Sequence, residues 1–327
     1  MRRPAAIAAC AVALLAAIAF AVAFGSGSAG LADLLAPGTR GYQIVVAYRL
    51  PRVLLGAVAG AGLAATGAAL QSVLRNPLAD PHILGVSGGA ALGATLAIAA
   101  GAGGGSILAS AGVPTASFAG GAAATLLVSS IGRRGRAGGS SILLAGVVLN
   151  SIAYACILFV EAFAEPGKLQ SLVWWLMGYL DAPTWSQLSL TAVCAGAGMA
   201  VLVADAARIN VLALGDEPAA SLGVDVRSLE RRALFACAAV IGAVVSVTGP
   251  VGFIGLVVPQ AMRRVLGPDL RALLPASILA GAATLVTCDL GVRLLVPLVH
   301  TEVPVGAVTA LLGGPMFLVL LVRSKTR

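Results

Sequence analysis

Residues 208–232 read RINVLALGDEPAASLGVDVRSLERR and form the longest polar interlude between the apolar runs of this chain. Asp216, Glu217 and Pro218 are favoured in the first turn of a helix, and Gly223 is a residue that commonly ends one. We therefore predict a short helix between two turns. The four basic and four acidic residues of the segment cancel. Its leucines are too apolar for a purely solvated loop, so the segment is typical of a surface that receives a partner.

The rest of the chain is almost continuously apolar. Of its 327 residues, 59% are hydrophobic and only 10% are charged, and the mean hydropathy is +0.99. Soluble domains carry about 25% charged residues. The alternating pattern of a β-barrel is absent, so we predict an all-α integral membrane protein forming a single domain over residues 1–327. The net charge of +8 is spread over short loops, which argues against nucleic acid as a partner.

Ten apolar runs predict ten membrane-spanning helices: 5–24, 53–74, 83–100, 113–131, 142–163, 188–204, 233–248, 250–262, 272–296 and 303–322. The first run could also be a signal peptide, but it exceeds the roughly 7 to 15 apolar residues of such a segment. The seventh and eighth runs are shorter than the roughly 20 residues that a span needs. They could instead be one span kinked at Gly249-Pro250.

The positions of the basic residues favour two separate spans. With ten spans and both termini in the cytoplasm, sixteen of the 21 Lys and Arg residues lie inside, and five lie outside: Arg40, Arg49, Arg52, Lys168 and Arg293. Fusing the two short runs would move Arg263, Arg264 and Arg271 outside, together with the basic C-terminal tail. Cytoplasmic loops carry an excess of Lys and Arg, so the fused topology is disfavoured. The 208–232 segment is then expected at the cytoplasmic face.

Small and polar residues within the runs suggest contacts between helices. Three GxxxG pairs favour close backbone packing, which drives helix association in lipid: Gly56 with Gly60, Gly85 with Gly89, and Gly89 with Gly93. Asp289 and Arg293 are four residues apart and share a helix face, which favours an ion pair over a proton relay. Asn150 is expected to form interhelical hydrogen bonds and His82 to lie in a turn. The five cysteines fall singly in apolar runs, so no metal site is expected.

Several separate motifs occur in order along the chain: RNPLADP at 75–81, GVSGGA at 85–90, LGDEPAASLGV at 214–224, GPVGFIGLVVPQ at 249–260 and EVPVG at 302–306. From Leu50 to Pro315 the chain resembles the FecCD-type permeases of ATP-driven importers for iron-siderophores, haem and cobalamin. The resemblance implies ten spans per subunit and a translocation path between two permease copies, in a homodimer or a paralogous heterodimer. It also implies a prokaryotic cell membrane and an Fe(III)-siderophore as substrate, with haem and cobalamin as alternatives.

The resemblance implies that the 208–232 segment docks on a separate ATP-binding subunit, present in two copies. The residues concerned are Leu214, Gly215, Asp216, Glu217, Ala220, Leu222 and Gly223. The chain contains no GxxxxGK followed by Ser or Thr, and neither of its two lysines, Lys168 and Lys325, follows such a loop. This chain therefore cannot cradle ATP phosphates. We expect it to be a transport subunit without catalysis or cofactor of its own, with Mg-ATP bound by the partner.

The resemblance further implies that Arg49, Arg52 and Arg293 receive acidic residues of an extracytoplasmic substrate-binding protein. Charge pairing at such a surface mostly sets encounter rate and register. A competing interpretation is that these arginines snorkel at the ends of spans, as arginines commonly do.

Two other classes of protein are alternatives to a permease of an ATP-driven importer. An ion-coupled secondary transporter would show inverted repeats, broken helices and buried carboxylates, of which only Asp289 fits. An intramembrane enzyme would need a nucleophile with a base, or a metal cluster. His82 and His300 lie near opposite faces of the predicted membrane domain, so they cannot build such a site together.

Overall fold

The computed structural model describes residues 2–25, 33, 36–101, 107–134 and 139–324, and the ordered elements in this part of the chain are helices. A π-helical stretch, Ile44–Arg49, leads into α3, and a 3₁₀ helix, Pro81–Leu84, precedes α4. The α-helices are α1 (Arg2–Ala23), α2 (Arg40–Gln43), α3 (Leu50–Val73), α4 (Val86–Ala99), α5 (Ile107–Arg134), α6 (Gly139–Ala162), α7 (Pro166–Leu176), α8 (Trp185–Ala204), α9 (Ala206–Leu212), α10 (Asp216–Ser221), α11 (Val226–Thr248), α12 (Ile254–Leu266), α13 (Leu270–Val299) and α14 (Val305–Ser324).

Within the described residues, seven helical stretches are long and apolar enough to cross a membrane: Arg3–Ala23, Arg40–Val73, Gly112–Ser130, Leu144–Ala162, Trp185–Ala204, Val226–Thr248 and Leu270–Leu298. Two shorter apolar helices are Val86–Ala99 and Val305–Val319. The prediction of an all-helical, multi-pass membrane protein is confirmed at this level.

Two helices begin later than the apolar runs predicted. The run from residue 83 becomes α-helical only at Val86, because the 3₁₀ turn ends at Gly85, whose φ is +82°. The run from residue 250 becomes α-helical only at Ile254, because Phe253 adopts a left-handed φ of +68°. Apolar runs mark where chain is buried in lipid or protein, but they do not show where the backbone leaves the helical region.

Glycines bring the central helices into backbone contact. A side chain at Gly60 of α3 would collide with the Gly281 carbonyl of α13, and one at Gly67 would collide with the Gly255 carbonyl of α12. A side chain at Gly89 of α4 would likewise collide with the Gly120 carbonyl of α5. The packing role expected of the GxxxG glycines is therefore confirmed at Gly60 and Gly89, and close backbone approach explains why no larger residue fits there.

The helices differ in how far their side chains are covered. Buried residues make up 83% of the most apolar part of the α3 stretch and 72% of that of the α11 stretch, but only 17% of that of the α1 and α6 stretches. The exposed side chains include Leu158 and Phe159 on α6 and Phe163 directly after it. An apolar face of this extent is not stable in water but is ordinary in contact with lipid or with another membrane helix.

Polar contacts define the two ends of the helix bundle. At one end, Asp269 at the start of α13 accepts hydrogen bonds from Arg3 of α1 (2.9 Å) and from Asn210 of α9 (2.8 Å). At the other end, Arg49 and Arg293 donate to backbone carbonyls at the end of α1. The 208–232 segment therefore lies at the end where α1 begins. Arg136, Lys325 and Arg327, which contribute to the predicted charge asymmetry, lie outside the described residues.

Candidate functional site

The short helix predicted in the 208–232 segment is present as α10, Asp216–Ser221. It is bounded by Gly215 with a φ of +130° and Gly223 with a φ of +79°. Both angles lie in a region that side-chain-bearing residues rarely adopt, so glycine is required at each turn. The Val224 amide donates to the Ala219 carbonyl (3.0 Å) and closes the helix.

The face of α10 that points away from the bundle is apolar at its two ends. Leu214 is 70% exposed and Leu222 is 66% exposed. Of the predicted coupling residues, Gly215 is partly covered and the others are exposed. Ala219, which the prediction left out, is buried and anchors α10 against Leu212 and Leu229. The predicted residues thus form one continuous outward surface with two leucines available for a partner.

Arg75, two residues after the end of α3, connects α10 to the helix bundle. Its Nε donates to the Leu212 carbonyl (3.1 Å), and its guanidinium pairs with the Asp216 carboxylate. Arg75 itself has a left-handed φ of +48°. Sequence reasoning assigned this residue no role, although its place at the head of the RNPLADP motif was a usable signal.

Two carboxylates, those of Asp205 and Asp269, fix the position of α9, the helix that precedes α10. Asp205 pairs with Arg208 (3.1 Å) and with Arg232 (3.2 Å). Asp269 bonds to Asn210 and Arg3, as described above. The backbone N–H of Arg271, together with these two side chains, lowers the pKa of Asp269. Helix α9, which precedes α10, is therefore attached to α1, α11 and α13.

An arginine cluster, consisting of Arg49, Arg52 and Arg293 with Asp289 and Glu302, lies at the opposite end. Asp289 is 1% exposed and pairs with Arg293 (2.9 Å) and with Arg52 (3.0 Å). The predicted pair between Asp289 and Arg293 is confirmed. The contact with Arg52, which also meets Glu302 at 3.4 Å, was not predicted.

The three predicted docking arginines are close together, but they differ in access. Arg49 is 5% exposed and Arg293 is 4% exposed. They donate to the carbonyls of Val22 (2.8 Å) and Ala21 (3.0 Å), respectively. Arg52 lies over the Tyr179 ring and, with Glu302, is nearest the surface. All three arginines are therefore largely covered in this structure, with 11% of the Arg52 side chain exposed, and Glu302 is the most exposed member of the cluster.

A cavity of about 720 Å³ opens at the same end as the arginine cluster. Its lining includes Lys168 and Trp175 of α7, and also Asp181 and Gln187 at the start of α8. Helix α7, which carries Trp174 and Trp175, thus lies at this end of the bundle. In the part of the chain described, no group of three His, Cys, Asp or Glu side chains lies close enough together to hold a metal ion.

Comparison with known proteins shows which family the chain resembles. The profile of the FecCD transport family matches residues 12–323. The chain is 42% identical to the cobalamin import system permease protein BtuC of Halobacterium salinarum, over 85% of this chain and 73% of that protein. It is 39% identical to the hemin transport system permease protein HmuU of Yersinia pestis, over 87% of this chain and 84% of that protein.

A third relative and a solved structure agree with these matches. The Fe(3+)-citrate import system permease protein YfmE of Bacillus subtilis is 37% identical over 85% of this chain and 81% of its own length. An inward-facing metal-chelate type ABC transporter superposes with a TM-score of 0.87 at 29% identity, covering 98% of this chain and 99% of that one. The chain belongs to the FecCD transport family and is a permease of an ATP-binding-cassette importer.

Proposed function

We propose that this chain is the membrane subunit that carries a metal chelate across a prokaryotic plasma membrane, as one of two permease copies. In this proposal residues 1–327 form one domain with ten spans and both termini in the cytoplasm. Two copies of an ATP-binding subunit supply the energy, and an extracytoplasmic binding protein delivers the substrate. The chain itself has no catalytic role and no cofactor; Mg-ATP is bound by the partner.

The observation that carries the proposal is the outward face of α10. Leu214 and Leu222 are largely exposed at the end of the bundle where α1 begins. Two exposed leucines beside a short helix bounded by glycine turns suit insertion into a groove of a partner. We assign the role of contacting the ATP-binding subunit to the surface formed by Leu214, Gly215, Asp216, Glu217, Ala220, Leu222 and Gly223.

The coupling role is tested by replacing Leu222 with Asp. Leu222 is exposed, so the change leaves the fold intact but places a charge in the proposed contact. We expect the ATP-binding subunit no longer to co-purify and ATP hydrolysis no longer to respond to the permease. Leu222→Met, which keeps an apolar side chain at the same exposed position, is the control. Normal complex formation by the Leu222→Asp protein would contradict the assignment.

We propose an Fe(III)-siderophore as substrate, with cobalamin and haem as alternatives. The names of the relatives support the three equally, since they cover cobalamin, hemin and ferric citrate import. The test is a competition experiment in proteoliposomes containing the complete transporter. Uptake of a radiolabelled ferric siderophore should be blocked by excess unlabelled siderophore but not by cobalamin or hemin. Uptake of labelled cobalamin with no uptake of the labelled siderophore would instead support the first alternative.

We further propose that Arg49, Arg52 and Arg293 form the surface that meets acidic residues of the binding protein. Arg52 is the most accessible of the three, with 11% of its side chain exposed, whereas Arg49 and Arg293 are 5% and 4% exposed in the structure of this chain alone. Replacing Arg52 with Glu should slow capture of the binding protein and reverse its dependence on salt, since the Debye length falls from about 30 Å to about 3 Å between 0.01 and 1 M. Capture rates unchanged by the substitution at both salt concentrations would refute the role.

A further inference from the structure

The connector between α3 and α4, residues 75–85, has a fixed shape. The Asn76 amide donates to the Gln71 carbonyl (3.1 Å) at the end of α3. The Asp80 carboxylate accepts from the His82 amide (2.8 Å) and caps the 3₁₀ helix. Two prolines, Pro77 and Pro81, restrict the backbone further. A segment fixed in this way moves as a unit when one of its ends is displaced.

One end of the connector is attached to α10. As described above, Arg75 bonds to the Leu212 carbonyl and to the Asp216 carboxylate. Asp216 is the first residue of α10. A displacement of α10 by a partner therefore acts directly on the start of the connector.

The other end is attached to the interior of the bundle through His82. Its Nε2 donates to the Val251 carbonyl (2.7 Å), in the break between α11 and α12. Its own carbonyl accepts from Asn150 Nδ2 of α6 (2.7 Å). The Asn150 Oδ1 in turn accepts from the Gly88 amide of α4 (3.1 Å). His82 is thus the point where the connector meets α4, α6 and the α11–α12 break.

The break between α11 and α12 is itself packed against α14. Phe253 has a left-handed φ of +68°, and its side chain packs on Gly313 of α14, where an added side chain would collide with it. On the far side, Gln260 of α12 donates to the Pro77 carbonyl (3.0 Å) of the connector. The connector is therefore linked to the break before α12 through His82 and to the middle of α12 through Gln260.

We propose that His82 is a positioning residue that transmits a displacement of α10 through the connector to α6 and to the break that precedes α12. The proposal rests on the proposed contact between α10 and the ATP-binding subunit. Its physical basis is a chain of short directional contacts, Asp216 to Arg75, and His82 to Val251 and Asn150, joined by a proline-restricted segment. Removing the His82 side-chain contact leaves α10 in place and keeps the bond from Asn150 to the His82 backbone carbonyl, but it separates the movement of the connector from that of the break at Val251.

The test compares transport with ATP hydrolysis in proteoliposomes holding the complete transporter. His82→Leu removes the donor to Val251, whereas His82→Gln keeps an N–H group on a side chain of similar reach. We expect His82→Leu to hydrolyse ATP near the parent rate while the number of substrate molecules carried per ATP falls about fivefold or more. His82→Gln should restore most of that ratio. Ser151→Ala, beside Asn150 on α6 and bonded only within its own helix, should leave it unchanged.

The outcomes separate this proposal from the proposed function. If the unaltered transporter shows no ATP-driven uptake, the proposed function fails. If it transports and His82→Leu keeps the parent ratio, or loses transport and hydrolysis in equal proportion, only the positioning role is overturned. Should His82→Leu not assemble, Asn150→Ala removes the donor to the His82 carbonyl and is judged by the same ratio.

Discussion

Replacing Asp289 with Asn tests how the buried part of the arginine cluster stabilises the fold. Asp289 is 1% exposed and is the carboxylate between Arg52 and Arg293. Asn has nearly the same shape, so packing is preserved while the negative charge is removed. Arg293, itself 4% exposed, would be left as a buried cation without its counter-ion. Losing one partner of a buried pair costs about 3 to 5 kcal/mol, and we expect a loss of that size in the free energy of unfolding.

Glu302 provides the matched control. It also pairs with Arg52, at 3.4 Å, but its side chain is 38% exposed. Pairs with this degree of solvent access contribute about 1 kcal/mol or less, so Glu302→Gln should be nearly neutral. The assay is unfolding in mixed micelles of dodecyl maltoside and increasing SDS, followed by tryptophan fluorescence. The three tryptophans, Trp174, Trp175 and Trp185, lie at this end of the bundle. Equal small losses for the two variants would refute the reasoning.

Three further outcomes are expected. Gly67→Ala should lower the free energy of unfolding by about 1 to 3 kcal/mol, because its new side chain meets the Gly255 carbonyl; Gly196→Ala, which has nothing within 4 Å, should not, and a similar loss at both positions would exclude a role for the close approach. The pKa of Asp269 is lower in the folded state than in the unfolded state, where it is about 3.9, so the ionised carboxylate stabilises the fold, and this stabilisation is lost as the pH falls through the folded-state pKa. Asp269→Asn should therefore reduce the fall of the melting temperature at acid pH, and an unchanged fall would count against this role. Arg75→Glu should lower transport with little effect on stability, because the pair is partly exposed; Arg75→Lys, which keeps a positive charge facing Asp216, should retain most of the transport, and an equal loss by both variants would argue against a charge contact.

The helices and the short α10 were predictable because their signals are local. Apolar runs of about 20 residues and the sequence Asp216, Glu217, Pro218 need no knowledge of the rest of the chain. The start of α12 was not predictable in the same way. Phe rarely adopts a positive φ, and Phe253 does so here where it packs on Gly313, some sixty positions along the chain.

The arginine cluster shows the same limit for side-chain chemistry. The pair between Asp289 and Arg293 follows from helix geometry, since residues four apart share a face. The contact of Arg52 with Asp289 joins residues 237 positions apart, and it depends on how α3 packs against α13. The burial of Arg49 and Arg293 depends on α1 in the same way. Spacing along the chain carries no information about such contacts.

We expect transport by this chain to be driven by ATP hydrolysis on a partner subunit. The most direct measurement is uptake into proteoliposomes holding the permease, the ATP-binding subunit and the binding protein, with labelled ferric siderophore, cobalamin and hemin each tested in turn. We expect accumulation of one of them only when ATP, the ATP-binding subunit and the binding protein are all present, and persistence after ionophores collapse every ion gradient. Accumulation by the permease alone, driven by an imposed proton or sodium gradient and abolished by ionophores, would contradict the claim.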